Sequence, residues 1–179
     1  MSVIVAKRQE SQFEVFHHWY QTRKEITNLM LYDFGLKPER QEQKLFRSLG
    51  IKDLTELNSL DIPEQERYQK HKRRMASVVS WFLQEQRSSV MSCIRNVTEE
   101  VFVANSIYPT CLEELTERRL HQDRAIGQCF RLKQELQYTI EILEVDINRY
   151  ANPAKMIDKE ISLLKAWRKS DNKFKKNLQ

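Results

Sequence analysis

Few side chains in this chain have the means to do chemistry, and their spacing withholds most of it. The histidines are His17, His18, His71 and His121. His17 and His18 are neighbours, about 100° apart on a helix, so they cannot chelate one ion from a single face. No HExxH occurs and no two histidines lie four apart, so no metal site is expected. Cys111 and His121 invite a thiol–imidazole reading, but ten residues on one helix separate them by roughly 15 Å. Gly35, Gly50 and Gly127 are isolated, so no glycine-rich phosphate loop exists. Glu135, Glu141, Glu144 and Glu160 leave paired carboxylates open, with solvated faces or buried salt bridges the favoured reading. Arg118, Arg119, Asp123, Glu135 and Glu160 flank apolar stripes. They read first as salt bridges within the fold or between subunits, second as an anion-binding wall. The chain therefore reads as no enzyme, with no cofactor and no catalytic residue.

Cations offer more. Lys165, Arg168, Lys169, Lys173, Lys175 and Lys176 face only Asp171. The resulting excess equals the formal net charge of the whole chain, +5. Interleaved aromatics suit a phosphate backbone with base stacking; Trp167 reads as core and Phe174 as the freer ring. A second run, Arg67–Arg74, holds five cations around Tyr68 and His71 and reads as an ordinary solvated helix or, with Arg73 and Arg74, as a second contact.

The elements that must position these groups are helices. The chain has 179 residues with 3 glycines and 4 prolines, too few for a turn-rich β protein. One domain over 1–179 is expected, with a basic C-terminal tail at 168–179. There is no apolar run of 18 residues, and the opening MSVIVAKRQE places its cations after the apolar patch, opposite to a secretory signal. Cys93, Cys111 and Cys129 are odd in number without CxxC spacing, which favours reduced thiols, two of them core-packed. These features fit the cytoplasm.

Periodicity sets out the helices. Ser11–Glu14 is a capping-box pattern opening a helix to about Asp33, with Gly35 ending it. Its stripe is Val15, Phe16, Trp19, Ile26, Leu29, Met30 and Asp33. Pro38–Leu49 is a short amphipathic helix closed by Gly50, and 51–63 a connection. From Pro63 to Ser106 no glycine or proline intervenes. One helix of that length spans about 60 Å, so a break is expected near Arg87–Ser89. Val78, Val79, Trp81 and Phe82 mark its first part; Val90, Cys93, Ile94, Val97, Val101, Phe102 and Ala104 its second. A long helix from about Leu112 to Val145 carries Leu115, Ala125, Ile126, Cys129, Phe130, Leu136, Ile140 and Leu143, with Gly127 inside the stripe implying a close helix–helix approach. Asn152 as N-cap and Pro153 at the first turn open the closing helix, whose stripe is Met156, Ile157, Ile161, Leu164 and Trp167. The expected fold is all-α, an antiparallel four-helix bundle with an inserted helical segment at 36–87.

Four segments carry a family resemblance: FEVFHHWYQTRKEITNLMLYDFG (Phe13–Gly35), VFVANSIYP (Val101–Pro109), ELTERRLHQDRAIGQCFRLKQEL (Glu114–Leu136) and IDKEISLLKAWRKSDNK (Ile157–Lys173). In their order the chain resembles the accessory variability determinant (Avd) proteins of diversity-generating retroelements and the related ribosomal-RNA intervening-sequence proteins. The closing helix shares the order Ile157, Glu160, Leu164, Trp167, Arg168. The resemblance implies a basic, non-catalytic bundle that assembles as a pentamer, associates with the retroelement's reverse transcriptase and binds template RNA or cDNA. The segment at 36–87 exceeds the family's usual length. It would reshape a subunit contact or add a surface for polymerase or RNA. The competing reading is a structural bundle of a phage or mobile element with no nucleic-acid role.

Overall fold

A computed structural model describes residues 10–177, with side chains from 14 to 175. The described residues are mostly helical, without a strand. Helix α1 is Glu10–Leu31, α2 Pro38–Leu49, α3 Leu54–Ser59, α4 Ile62–Ser106, α5 Leu112–Ile142, α6 Ala151–Ser170 and α7 Asn172–Asn177. Short 3-10 turns lie at Asp33–Gly35 and Ile147–Tyr150.

The main core joins α1, the second half of α4, α5 and α6. Val15, Trp19 and Ile26 of α1 meet Val90, Ile94 and Val97 of α4, Ala125, Cys129 and Leu132 of α5, and Ile157, Ile161 and Leu164 of α6. Polar cross-links fix the register. Trp19 Nε1 donates to Thr98 Oγ1 at 2.8 Å, so the buried indole keeps a partner. Gln86 Nε2 reaches the Glu135 carbonyl at 2.9 Å and Thr139 Oγ1 at 3.0 Å. Lys133 meets Asp158 at 2.7 Å. With a second pair at each interface, Arg87–Asp33, His121–Glu100 and Arg118–Asp171, they show α1 against α4, α4 against α5 and α5 against α6 running in opposite directions.

The chain leaves α1 through a turn of the wrong hand. Asp33, Phe34 and Gly35 have φ of 48°, 57° and 72°, the first two at a cost for residues with a Cβ. Surrounding contacts hold them there. Phe34 is fully buried, its carbonyl accepts from Tyr150 Oη at 2.9 Å, and the Gly35 carbonyl accepts from the Asp146 amide at 2.8 Å. Arg87 pairs with Asp33 from α4.

A separate small core sits on the first half of α4. Leu45 and Phe46 of α2, Leu57 of α3 and Tyr68 of α4 are buried together. Phe46 and Tyr68 stack at 5.5 Å, and Glu42 accepts from Tyr68 Oη at 2.9 Å and Lys72 Nζ at 2.7 Å. Asp53 caps α3 and Asp61 caps α4.

Several expectations change. Helix α4 runs unbroken for 45 residues, with no interruption at Arg87–Ser89. Its first half leaves the main core, so the packing that would force a break is absent, and Arg87 anchors the helix to the end of α1. Val78, Trp81 and Phe102, expected inside, are exposed, and so is Phe130 of α5. Gly127 faces open space with nothing within 4 Å of a built Cβ, so no close helix approach explains it. The 51–63 connection contains α3. Helix α1 is helical from Glu10; the side chain of Ser11, the expected cap, lies outside the described residues, and Asp33 is exposed beyond the end of the helix. Helix α6 begins at Ala151 after a 3-10 turn, and the Asn152 side chain donates to Glu25 at 3.0 Å instead of capping. Pro153 is in the first turn as expected, and buried.

Candidate nucleic-acid interface

The basic end of the chain is built around a buried acid. Helix α6 presents Ile157, Ile161, Leu164 and Trp167 to the core, and one turn further Asp171 is buried too. Asp171 Oδ2 accepts from Arg118 Nε at 2.7 Å and Gln122 Nε2 at 2.8 Å. Arg118 Nη1 donates to the Ile107 carbonyl at 2.6 Å, so this arginine ties the α4–α5 turn to the end of α6. The guanidinium lies 5.1 Å from the Trp167 ring and 5.9 Å from Phe174, within cation–π range. Phe174 meets Tyr108 edge-on at 5.6 Å. The ring read as freer is therefore half-buried and packed, while Trp167 is core as expected. Of the two readings for Arg118, the internal ion pair is the one the structure holds.

This anchor aims the tail cations outward. Lys165 lies 5.5 Å from the Phe130 ring and Lys173 5.1 Å from Phe174. Arg168 is paired with Asp123, its Nη2 at 2.9 Å. Lys169 and Lys175 are exposed and have no partner among the described residues. The side chain of Lys176 lies outside the described residues. Arg73 and Arg74 are also exposed and unpaired among the described residues, but not near the tail. Ile107, which Arg118 grips, is 33 residues beyond Arg74, roughly 50 Å along the axis of α4. Arg73 and Arg74 thus lie on the first half of α4, and the tail beside its far end. Sequence reasoning missed the role of Asp171; its signal was a lone acid in a basic stretch.

Elsewhere the charged groups serve the interior. Glu160 is fully buried with Oε2 at 2.6 Å from His18 Nδ1. Burial pushes its carboxyl up to about 8, with Lys159 working against the shift. Burial, then Lys159, lowers the His18 imidazole below its usual range, against Glu14. The thiols of Cys93 and Cys129 are buried and reduced, and burial raises both; Cys111 is exposed. Among the described residues no three histidine, cysteine or carboxylate side chains could hold a metal ion. No helix among them is long and apolar enough to cross a membrane.

No family model, curated protein or solved structure matches this chain.

Proposed function

We propose that this chain is a four-helix bundle of α1, the second half of α4, α5 and α6, carrying 36–87 as an inserted segment. It acts as a non-catalytic, nucleic-acid-binding accessory protein of a diversity-generating retroelement. In this reading it associates with the reverse transcriptase and its template RNA to support mutagenic cDNA synthesis, as an oligomer that the family resemblance makes a pentamer. The observation that carries it is the fixed basic end: Lys169 and Lys175 stand unpaired on a segment held by the buried Asp171–Arg118 pair. Unpaired cations on a held backbone meet phosphates with only their side chains left to order, and release counterions when they do.

The test is co-purification with a reverse transcriptase encoded beside this gene, if there is one, with and without its repeat RNA, alongside a variant with Lys169, Lys173, Lys175 and Lys176 all changed to Ala. A complex tightened by RNA is expected. The variant should bind all sequences more weakly, its log–log salt slope shallower by roughly 0.7–0.9 for each phosphate that is no longer neutralised. No complex and no RNA affinity at low salt would overturn the reading and leave a structural bundle as the better account.

A further inference from the structure

Helix α2 separates its charges by face. Its two acids lie toward the rest of the molecule: Glu42 accepts from Tyr68 and Lys72 of α4, and Glu39 lines, with Asp33 and Leu83, the groove between α2 and α4. Its outer face holds Arg40, Lys44 and Arg47, at the i, i+4 and i+7 positions of one stripe, and no acid. A solvated helix face ordinarily interleaves both signs at this spacing. Here Arg40 and Arg47 make no side-chain hydrogen bond or ion pair among the described residues. Lys44 has one partner, Glu144 at 3.7 Å, and both side chains are well exposed, so solvent leaves that pair weak. Together with Gln43 and Glu144 these three line a surface concavity of about 360 Å³.

We infer that this outer face of α2 is a second phosphate-binding surface for nucleic acid, separate from the C-terminal tail. The inference rests on the reading that the chain binds nucleic acid. Arg40 and Arg47 are about 10 Å apart along the helix axis, the axial reach of about three phosphates on one strand of a duplex at ~3.4 Å each. Arginine guanidinium groups take phosphate oxygens two at a time, Lys44 supplies a point charge between them, and the Gln43 amide adds a neutral donor. The backing is fixed, because Leu45 and Phe46 on the opposite face are buried in the small core. The surface is far from the tail. Lys44 meets Glu144 just past the end of α5, 26 residues beyond the Arg118 that holds the tail, roughly 40 Å along the line of α5. One long strand could touch both surfaces and a short one could not, which makes the two contacts additive in a length-dependent way.

The experiment compares three full-length proteins: wild type, R40A/K44A/R47A, and K169A/K173A/K175A. Alanine keeps helix propensity at exposed positions, and a matching thermal melt checks that α2 is intact. Each protein is titrated by fluorescence anisotropy onto a 30-base-pair duplex RNA and a 10-nucleotide single strand over a salt series, and onto vesicles rich in phosphatidylserine. The α2 variant is expected to bind the duplex about tenfold more weakly at low salt, with a slope shallower by roughly 2–3. An α2 variant that binds like wild type, while the tail variant is weakened, overturns this surface alone. A wild type that binds neither nucleic acid overturns the functional reading as well. Vesicle binding that only the α2 variant loses, without an effect on RNA, overturns it in favour of a lipid surface.

Discussion

Glu160 shows how one buried group ties stability to pH. Its carboxyl is raised from an ordinary value of 4.5 to about 8 by burial, so the folded chain holds a proton there that the unfolded chain releases. The protonated acid can donate to His18 Nδ1, 2.6 Å away; the deprotonated one is a buried charge against a ring that burial also keeps neutral. Its contribution to stability is complete below about 4.5 and is lost as pH rises through about 8. His18, lowered from 6.5, acts in the opposite sense, but only below 6.5. Between pH 6.5 and 8, then, Glu160 sets the sign. Urea unfolding of the wild type should show stability falling by at most about 1.4 kcal/mol per pH unit across that window, and Glu160→Gln should lose most of this slope. Identical slopes in the two proteins would show that Glu160 titrates as an ordinary exposed carboxylate.

At the scale of elements, two cores share one helix. Tyr68 is 1 % exposed and bridges α2 to α4, whereas the main core starts on α4 at Phe82. Tyr68→Ala removes an aromatic whose loss costs about 3–5 kcal/mol in a packed site. That is more than a cluster of a few side chains sustains. Amides of α2 and α3 should lose hydrogen-exchange protection while those of α5 keep theirs; protection lost throughout would mean the two cores fold as one. The bounds of α2 were legible because Pro38 and Gly50 punctuate it, the latter at φ 72°. The stripe of α6 was legible because its buried apolar residues Ile157, Ile161, Leu164 and Trp167 recur at three- and four-residue steps. Trp81, Phe102 and Phe130 misled because periodicity finds an apolar face without saying whether a neighbour covers it. The Arg118–Asp171 pair spans 53 residues of sequence, a distance that only the register between α5 and α6 closes, and no spacing along the chain encodes that register.

Taken whole, the molecule is longer than its residue count suggests. A compact chain of this length has a radius of gyration near 16 Å, yet α4 alone measures about 67 Å at its 45 residues. Small-angle scattering should give a pair-distance distribution reaching at least about 65 Å. A maximum near 50 Å would mean that α4 does not run through. This length holds the α2 surface and the tail apart, so the net charge of +5 understates the field at either end. Cys93 and Cys129 are sealed in the main core and Cys111 alone is exposed, at the start of α5. The native chain therefore offers a single addressable thiol, three residues from Tyr108 and its contact with Phe174. A maleimide dye placed there would report on the basic end with every lysine and arginine left in place.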